Sequence, residues 1–379
     1  MKKTIFTLFL ASFFAFVSQA QQINNGVMNL NEFSRPNKRS NIVIPDVNGF
    51  KVLKCDFHMH TVFSDGDVWP TVRVQEAWLE GLDAIAITDH MEYTPKKDDI
   101  TPNNNRPYEI AKPSAQRQGI TLVKGTEVTR QTPPGHFNAL FIGDTDGYLT
   151  VNTNETDREA VMKAEAQNAF IFWNHPGWQP GIAGSYEWLP FIEDLYKNKA
   201  LDGIEVVNGT GFHMKALDWC IDKNLTVMGS TDVHNLISLS YDNSRDYVNR
   251  TMTLVLVRDN TPESVREALD ARRTVAWASK YLMGKEENVR SLFNACVEVL
   301  PSHHSETNRE GKTIKYYQIR NNSDLYFEME RTAGNGPGRI VLYPQSSQVI
   351  AAESGQPVYS VVTTYVRSDK HLSVNLLLP

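Results

Sequence analysis

From residue 50 onward the chain repeats one pattern: a short apolar run, then a segment of helical period, with a histidine or an acidic residue closing one run after another. The runs fall at 51–55, 84–88, 121–124, 139–142, 169–173, 203–207, 226–228 and 251–257. Strands this short and apolar, alternating with helical segments, predict a parallel sheet or barrel clothed in helices. One helix is expected to open at Pro70 and close at Gly81, with proline in its first turn and glycine past its last. Others are expected over 156–167 and from Thr261-Pro262 to Ala271. Segment 93–107, rich in proline and asparagine, reads as a long loop at the mouth of the site.

After about residue 285 the pattern changes. One helix, 288–297, precedes strand-like runs at 314–320, 326–331, 339–342, 358–366 and 372–377, parted by turn clusters such as Asn321-Asn322-Ser323-Asp324. This predicts a small all-β, sandwich-like C-terminal domain over 286–379, behind an α/β domain over 50–285. Ahead of both, Lys2 and Lys3, the apolar run 5–17 and Ser18-Gln19-Ala20 have the form of a signal peptide over 1–20, followed by a polar arm over 21–49. The apolar run falls short of the ~20 residues that span a bilayer. The expectation is a periplasmic or secreted chain with no membrane attachment after cleavage.

Only Cys55, Cys220 and Cys296 are present, too few and too scattered for a disulfide framework, and they read as small buried hydrophobes. With 41% apolar residues a sizeable core is expected. The net charge of −6 and the absence of a long basic run exclude a non-specific binder of duplex nucleic acid.

The chemistry is concentrated at the C-terminal ends of the expected strands, where barrels keep their active sites. Asp56, His58 and His60 alternate with Phe57 and Met59, so the three polar residues are expected on one side, and Asp65 follows after a short turn. His90 closes Thr88-Asp89-His90. Glu127 follows Gly125-Thr126, and a carboxylate there can bridge two cations through its two oxygens. His136 precedes one apolar run and His175 follows another, pinned by Pro176. Asp232 and His234 repeat the two-residue spacing of His58 and His60. A lone pair of histidines is as readily core packing as a ligand pair, but the whole set places imidazoles and carboxylates together with no thiolate. That mixture suits Zn, Mn or Fe. Arg130, Arg250, Lys96 and Lys97 are candidates to face a phosphoryl group, and Asn174 and Asn208 to hydrogen-bond a substrate. His213, opening a helix, reads as structural, and His303 and His304 as solvated.

These motifs resemble the PHP family, named for polymerase and histidinol phosphatase. Asp56-x-His58-x-His60-x-x-x-Ser64-Asp65-Gly66, Thr88-Asp89-His90, Glu127, His175 and Asp232-x-His234 match its motifs in order over roughly 52–285. The C-terminal half looks similar to a subgroup of exported bacterial phosphodiesterases acting on organophosphate diesters. The resemblance implies a distorted seven-stranded (βα)7 barrel with two to three divalent metal ions. It further implies His58, His60, Glu127 and Asp232 on the first ion, Glu127, His136 and His175 on the second, and Asp65, His90 and His234 on the third. The expected reaction is hydrolysis of a small phosphorylated substrate, a diester in preference to a monoester, by a metal-bridging hydroxide attacking phosphorus. Glu127, Asp232, Arg130 and Arg250 are the expected catalytic side chains. Two other readings stand beside it: a metal-dependent amidohydrolase, which would ask for a lysine at a middle strand end, and a non-catalytic periplasmic binding protein.

Overall fold

Alternating apolar residues and the turns between them build the frame that holds the site. The computed structural model describes residues 38–145, 157–179, 181–183, 186–241 and 249–379. The expected signal peptide and most of the arm lie outside these residues. Arg39–Pro379 forms one contact unit and is described by itself.

The α/β part runs β1 (Lys51–Asp56), α1 (Pro70–Leu79), β2 (Ala84–Ile87), α2 (Arg106–Gln118), β3 (Thr121–Val128), β4 (Phe137–Leu140) and α3 (Asp157–Glu165). It continues with β5 (Phe170–Trp173), α4 (Pro190–Lys197), β6 (Gly203–Asn208), β7 (Gly211–Phe212), α5 (Met214–Asp222), β8 (Thr226–Ser230) and α6 (Ile237–Ser240). Then come β9 (Asn249–Val257), α7 (Pro262–Asp270), β10 (Thr274–Ser279), β11 (Tyr281–Gly284) and α8 (Glu286–Cys296). The expected helices appear as α1, α3, α7 and α8. The first is followed by Gly81 at φ 83°, a left-handed position that glycine takes without strain. The loop expected over 93–107 ends two residues early, because α2 opens at Arg106 and carries Pro113 within it.

Strands β1 to β6 and β8 make the expected seven staves, with β1, β2 and β3 parallel, and β5, β6 and β8 parallel. The distortion is specific. Between β3 and β4 there is no helix but a hairpin, so β4 runs antiparallel to both neighbours. The interior holds Leu53, Cys55, Phe57, Ala84, Val123, Phe170, Phe172 and Met228, and Val265, Ala268 and Leu269 of α7 join the same buried cluster. On its other side β1 pairs antiparallel with β9, from Lys51–Val257 to Cys55–Thr253, and beyond the end of β1 Met59 and Val233 form one parallel bridge. Thr253 Oγ1 donates to the Gly229 carbonyl at 2.8 Å and accepts from its N–H at 2.9 Å, and Thr274 Oγ1 donates to the Val227 carbonyl at 2.7 Å. A Cβ at Gly229 would lie 2.9 Å from that of Ala276, so the approach of β8 to β10 requires glycine.

The C-terminal part is two antiparallel sheets, as expected of a sandwich. One joins β12 (Val297–Val299), β13 (His304–Thr307), β14 (Thr313–Asn321) and β17 (Ser347–Ala352). The other joins β15 (Phe327–Ala333), β16 (Arg339–Leu342), β18 (Val358–Arg367) and β19 (Lys370–Asn375). It continues the large sheet, because β18 pairs in parallel with β11 through Leu282–Thr364. The described end of the arm spans both parts: Ser40 N–H donates to the Leu79 carbonyl at 2.8 Å, and Val43 N–H to Asp324 Oδ2 at 2.7 Å. All three cysteines are free and buried, and burial carries the thiols of Cys220 and Cys296 up to about 12, as inert core residues require. Among the described residues no helix is long and apolar enough to cross a membrane.

Candidate metal centre

The strand ends of β1, β2, β3, β5 and β8 converge on one buried cluster. β1 stops at Asp56, and with it the alternation of faces. Asp56 therefore parts from the two histidines: it accepts from Thr231 Oγ1 at 2.5 Å and pairs with Arg250. Phe57 turns into the barrel interior and Met59 into the outer core. His58 and His60 do meet, their Nε2 atoms 3.1 Å apart. Asp232 Oδ1 lies 3.1 Å from His58 Nε2 and 2.9 Å from His60 Nε2. Glu127 stands 3.5 Å from each ring.

Glu127 is fully buried at the middle of the set. Its Oε1 accepts from Asn174 Nδ2 at 2.7 Å and sits 3.0 Å from His136 Nδ1 and 3.7 Å from His175 Nε2. Its Oε2 is 2.7 Å from His90 Nδ1, but that contact is out of line and the oxygen has no hydrogen bond. On the far side Asp65 approaches His234 Nε2 at 3.2 Å, His90 Nε2 at 3.6 Å and His60 Nδ1 at 3.7 Å. His175 lies 3.8 Å from Asp232 Oδ2. Two ligand positions hold unusual backbone, Asp232 at φ 53° and His175 at φ 28°. Strain of this kind persists where the surroundings over-determine it.

All nine expected ligand residues are thus together. Four overlapping groups each have their ligand atoms within 4.8 Å: His60, Asp65, His90 and His234; His58, His175 and Asp232; His58, His60 and Glu127; and His90, Glu127 and His136. The last differs from expectation, since His90 takes the place beside Glu127 and His136 that His175 was to fill. Burial raises carboxyls in general, but His90 and His58 hold Glu127 well below the usual range, and His58 and His60 do the same to Asp232. Burial presses imidazoles down, and with His90 beside it His60 falls to about 4. His90 goes the other way, to about 10, because Glu127 and Asp65 outweigh burial. Converging ring nitrogens and a buried carboxylate oxygen without a hydrogen bond fit divalent cations, with O and N donors and no sulfur.

Several expected substrate-facing groups are engaged elsewhere. Arg250 is buried behind β1, bonded to Asp56 and, at 2.6 Å, to Glu80, so it is a framework residue and not a phosphoryl contact. Arg130 lies against Asp157 at 2.9 Å and Glu92 at 3.4 Å. Lys96 donates to the carbonyls of Asp65 and Gly66. Lys97 is exposed on its loop. Asn174 and Asn208 hold carboxylates, Glu127 and Glu205 respectively. His213 stands at the first position before α5 without a capping bond from its side chain, and burial lowers it to about 4. His303 and His304 are away on the β-module, the latter exposed on β13.

Two important residues escaped the sequence reading. Glu205 is fully buried, and its Oε1 lies 2.8 Å from His58 Nδ1. The signal was a lone acid inside the apolar run Gly203–Asn208. Arg73 is fully buried on the apolar face of α1 with Pro70, Val74 and Ala77, which was its own signal. It donates to the carbonyls of His60 at 2.9 Å, Val233 at 3.0 Å, His234 at 2.8 Å and Asn235 at 2.7 Å. One guanidinium so ties the turn after β1 to the turn after β8. Asp89 does similar work nearer the surface, accepting from Thr61 N–H, Thr61 Oγ1 and Ser64 Oγ at 2.6 Å each.

Fold and cluster together define an α/β protein with several overlapping groups at its strand ends that could hold metal ions. A family model for the PHP domain matches residues 56–250, about half of the chain, and the chain belongs to that family. A model described as an Ig-like domain matches residues 297–377. The chain is similar to the crystal structure of a two-domain protein of Bacteroides vulgatus that contains a predicted PHP-like metal-dependent phosphoesterase. The identity is 37%, the TM-score 0.84, and the match covers 90% of this chain and 99% of that one. It is also 36% identical over 83 residues to an uncharacterized protein of Methanocaldococcus jannaschii, a match that spans only 36% of that protein's length.

Proposed function

We propose that this chain is an exported phosphoric ester hydrolase that prefers diesters and works with two to three divalent cations. The observation that carries the reading is the set of four overlapping ligand groups at the strand ends of a PHP domain. The similarity to the Bacteroides protein supports the same substrate class. Divalent cations bound here supply Lewis acidity and lower the pKa of water to about 7.

His58, His60, Glu127 and Asp232 are assigned to one ion, and Asp65, His90 and His234 to another. Glu127 would also serve a third ion with His136 and either His90, which closes that group in the structure, or His175, whose Nε2 lies 3.7 Å from Glu127 Oε1. Asn174 keeps the Glu127 carboxylate turned inward, and Glu205 fixes the proton of His58 on Nδ1, leaving Nε2 to face the site. Arg130, three residues past Glu127, would have to give up part of its pairing with Glu92 and Asp157 to meet an ester oxygen. Among the described residues Arg250 is buried and Lys96 is engaged, so neither is offered to the charge of a dianion, which favours a singly charged diester.

The test is an assay of the mature chain with Mn or Zn on bis-p-nitrophenyl phosphate and on p-nitrophenyl phosphate. Turnover of the diester above the monoester is expected, and turnover of neither would overturn the reading.

A further inference from the structure

The rim presents exposed aromatic rings. Trp178 is 46% exposed and Tyr93 51% exposed. Neither is a stray surface residue. The Trp178 ring centroid lies 5.4 Å from that of His175 and 5.9 Å from that of His136. Tyr93 lies edge-on to His90 at 5.9 Å. His90 and His136 are themselves 5.5 Å apart, so the two aromatic rings flank one stretch of the ligand cluster.

The placement of Trp178 is built in. Its N–H donates to the His175 carbonyl at 3.0 Å, and its Nε1 to Thr132 Oγ1 at 3.3 Å. The turn that carries it passes through Gly177 at φ 81°, where a Cβ would meet Cγ of Tyr186 at 2.6 Å. Both the backbone conformation and the close ring demand glycine there. The turn therefore holds an indole face open beside two of the ligands.

We infer that Trp178 and Tyr93 form a subsite for a planar aromatic substituent of the phosphate ester, so that the preferred substrates are aryl-bearing diesters. This rests on the phosphoesterase reading of the same cluster. The ring of the substituent stacks on Trp178 while the single negative charge of the diester lies over the ligand set. Aromatic pairs of this kind are worth enough to read as roughly tenfold in affinity.

The test is calorimetric titration of the metal-loaded mature chain with diphenyl phosphate and with diethyl phosphate, neither of which needs to be turned over. Diphenyl phosphate is expected to bind about tenfold more tightly, and Trp178→Ala to bring the ratio of the two dissociation constants close to one. Trp178→Phe, which keeps a ring, should restore most of the preference. Equal affinities in the unmodified chain, or a preference untouched by Trp178→Ala, would overturn the inference. An aryl preference that depends on Trp178, in a chain that hydrolyses no p-nitrophenyl ester, would instead uphold the subsite and refute the phosphoesterase reading.

Discussion

Glu205 governs the geometry of the centre without being a ligand. Its carboxylate lies 2.8 Å from His58 Nδ1 and accepts from the N–H of His175 and Asn208 Nδ2 at 2.9 Å each, so three elements are fixed by one side chain. Carboxylates that orient a ligand histidine commonly matter by ~10–100-fold in metal affinity. Glu205→Gln is therefore expected to weaken Mn binding by about that factor in a calorimetric titration. Unchanged affinity would remove Glu205 from the account. Arg73 is a second such residue, since four carbonyls from two ligand turns depend on it. Arg73→Met takes the printed donors from the buried carbonyls of His60 and Asn235 and one of two donors from those of Val233 and His234, with a loss on the order of 3–5 kcal/mol in urea denaturation. Arg73→Lys should recover only part of it, because an ammonium lacks the planar fork.

The strand ends made most of the ligand set legible in the sequence. A parallel strand delivers its next residues to the same end of the barrel every time, so His58, His90, Glu127, His175 and Asp232 were readable from local runs alone. What lay beyond was decided across the chain. Glu205 and Arg73 gain their meaning from partners far away in sequence, as do the Thr253 and Thr274 hydroxyls that hold β8. Arg250 looked like a substrate contact because nothing local shows that Asp56 claims it. Helix α2 was hidden by its own Pro113, and the reversal of β4 by the connection 129–136, which is long for a hairpin and does not state the direction of the next strand. At the opposite end of the barrel, Asp202 Oδ2 accepts from the Ile171 N–H at 2.8 Å, and burial carries its carboxyl up to about 6. The folded chain thus holds that proton more tightly than the unfolded one. The stability this contributes is full below pH ~4 and lost as the pH rises through about 6. Asp202→Asn, which cannot titrate, should gain on the unmodified chain by roughly 2 kcal/mol between pH 4 and 7.5. Parallel stability curves for the two proteins would contradict this.

Across the whole molecule, the α/β part and the β-module share one core. Phe293 of α8 packs edge-on to Phe327 of β15 at 5.2 Å, and the same buried cluster runs from Val74 and Ile85 to Tyr359 and Leu372. Phe327→Ala is expected to lower stability by about 3–5 kcal/mol in one transition that melts both parts together. Two separate transitions by calorimetry would show that the parts are independent. The shared core includes Met252 and Leu254 of β9 and Val275 and Trp277 of β10, the strands that pack against β8, which Asp232 follows. The most direct test of the central claim is elemental analysis of the mature chain after equilibration with Mn or Zn and gel filtration, beside His58→Ala and Asp232→Ala. The account predicts two to three ions per chain, with at least one lost in each variant. A chain that retains no ion, or the same number in all three proteins, would contradict it.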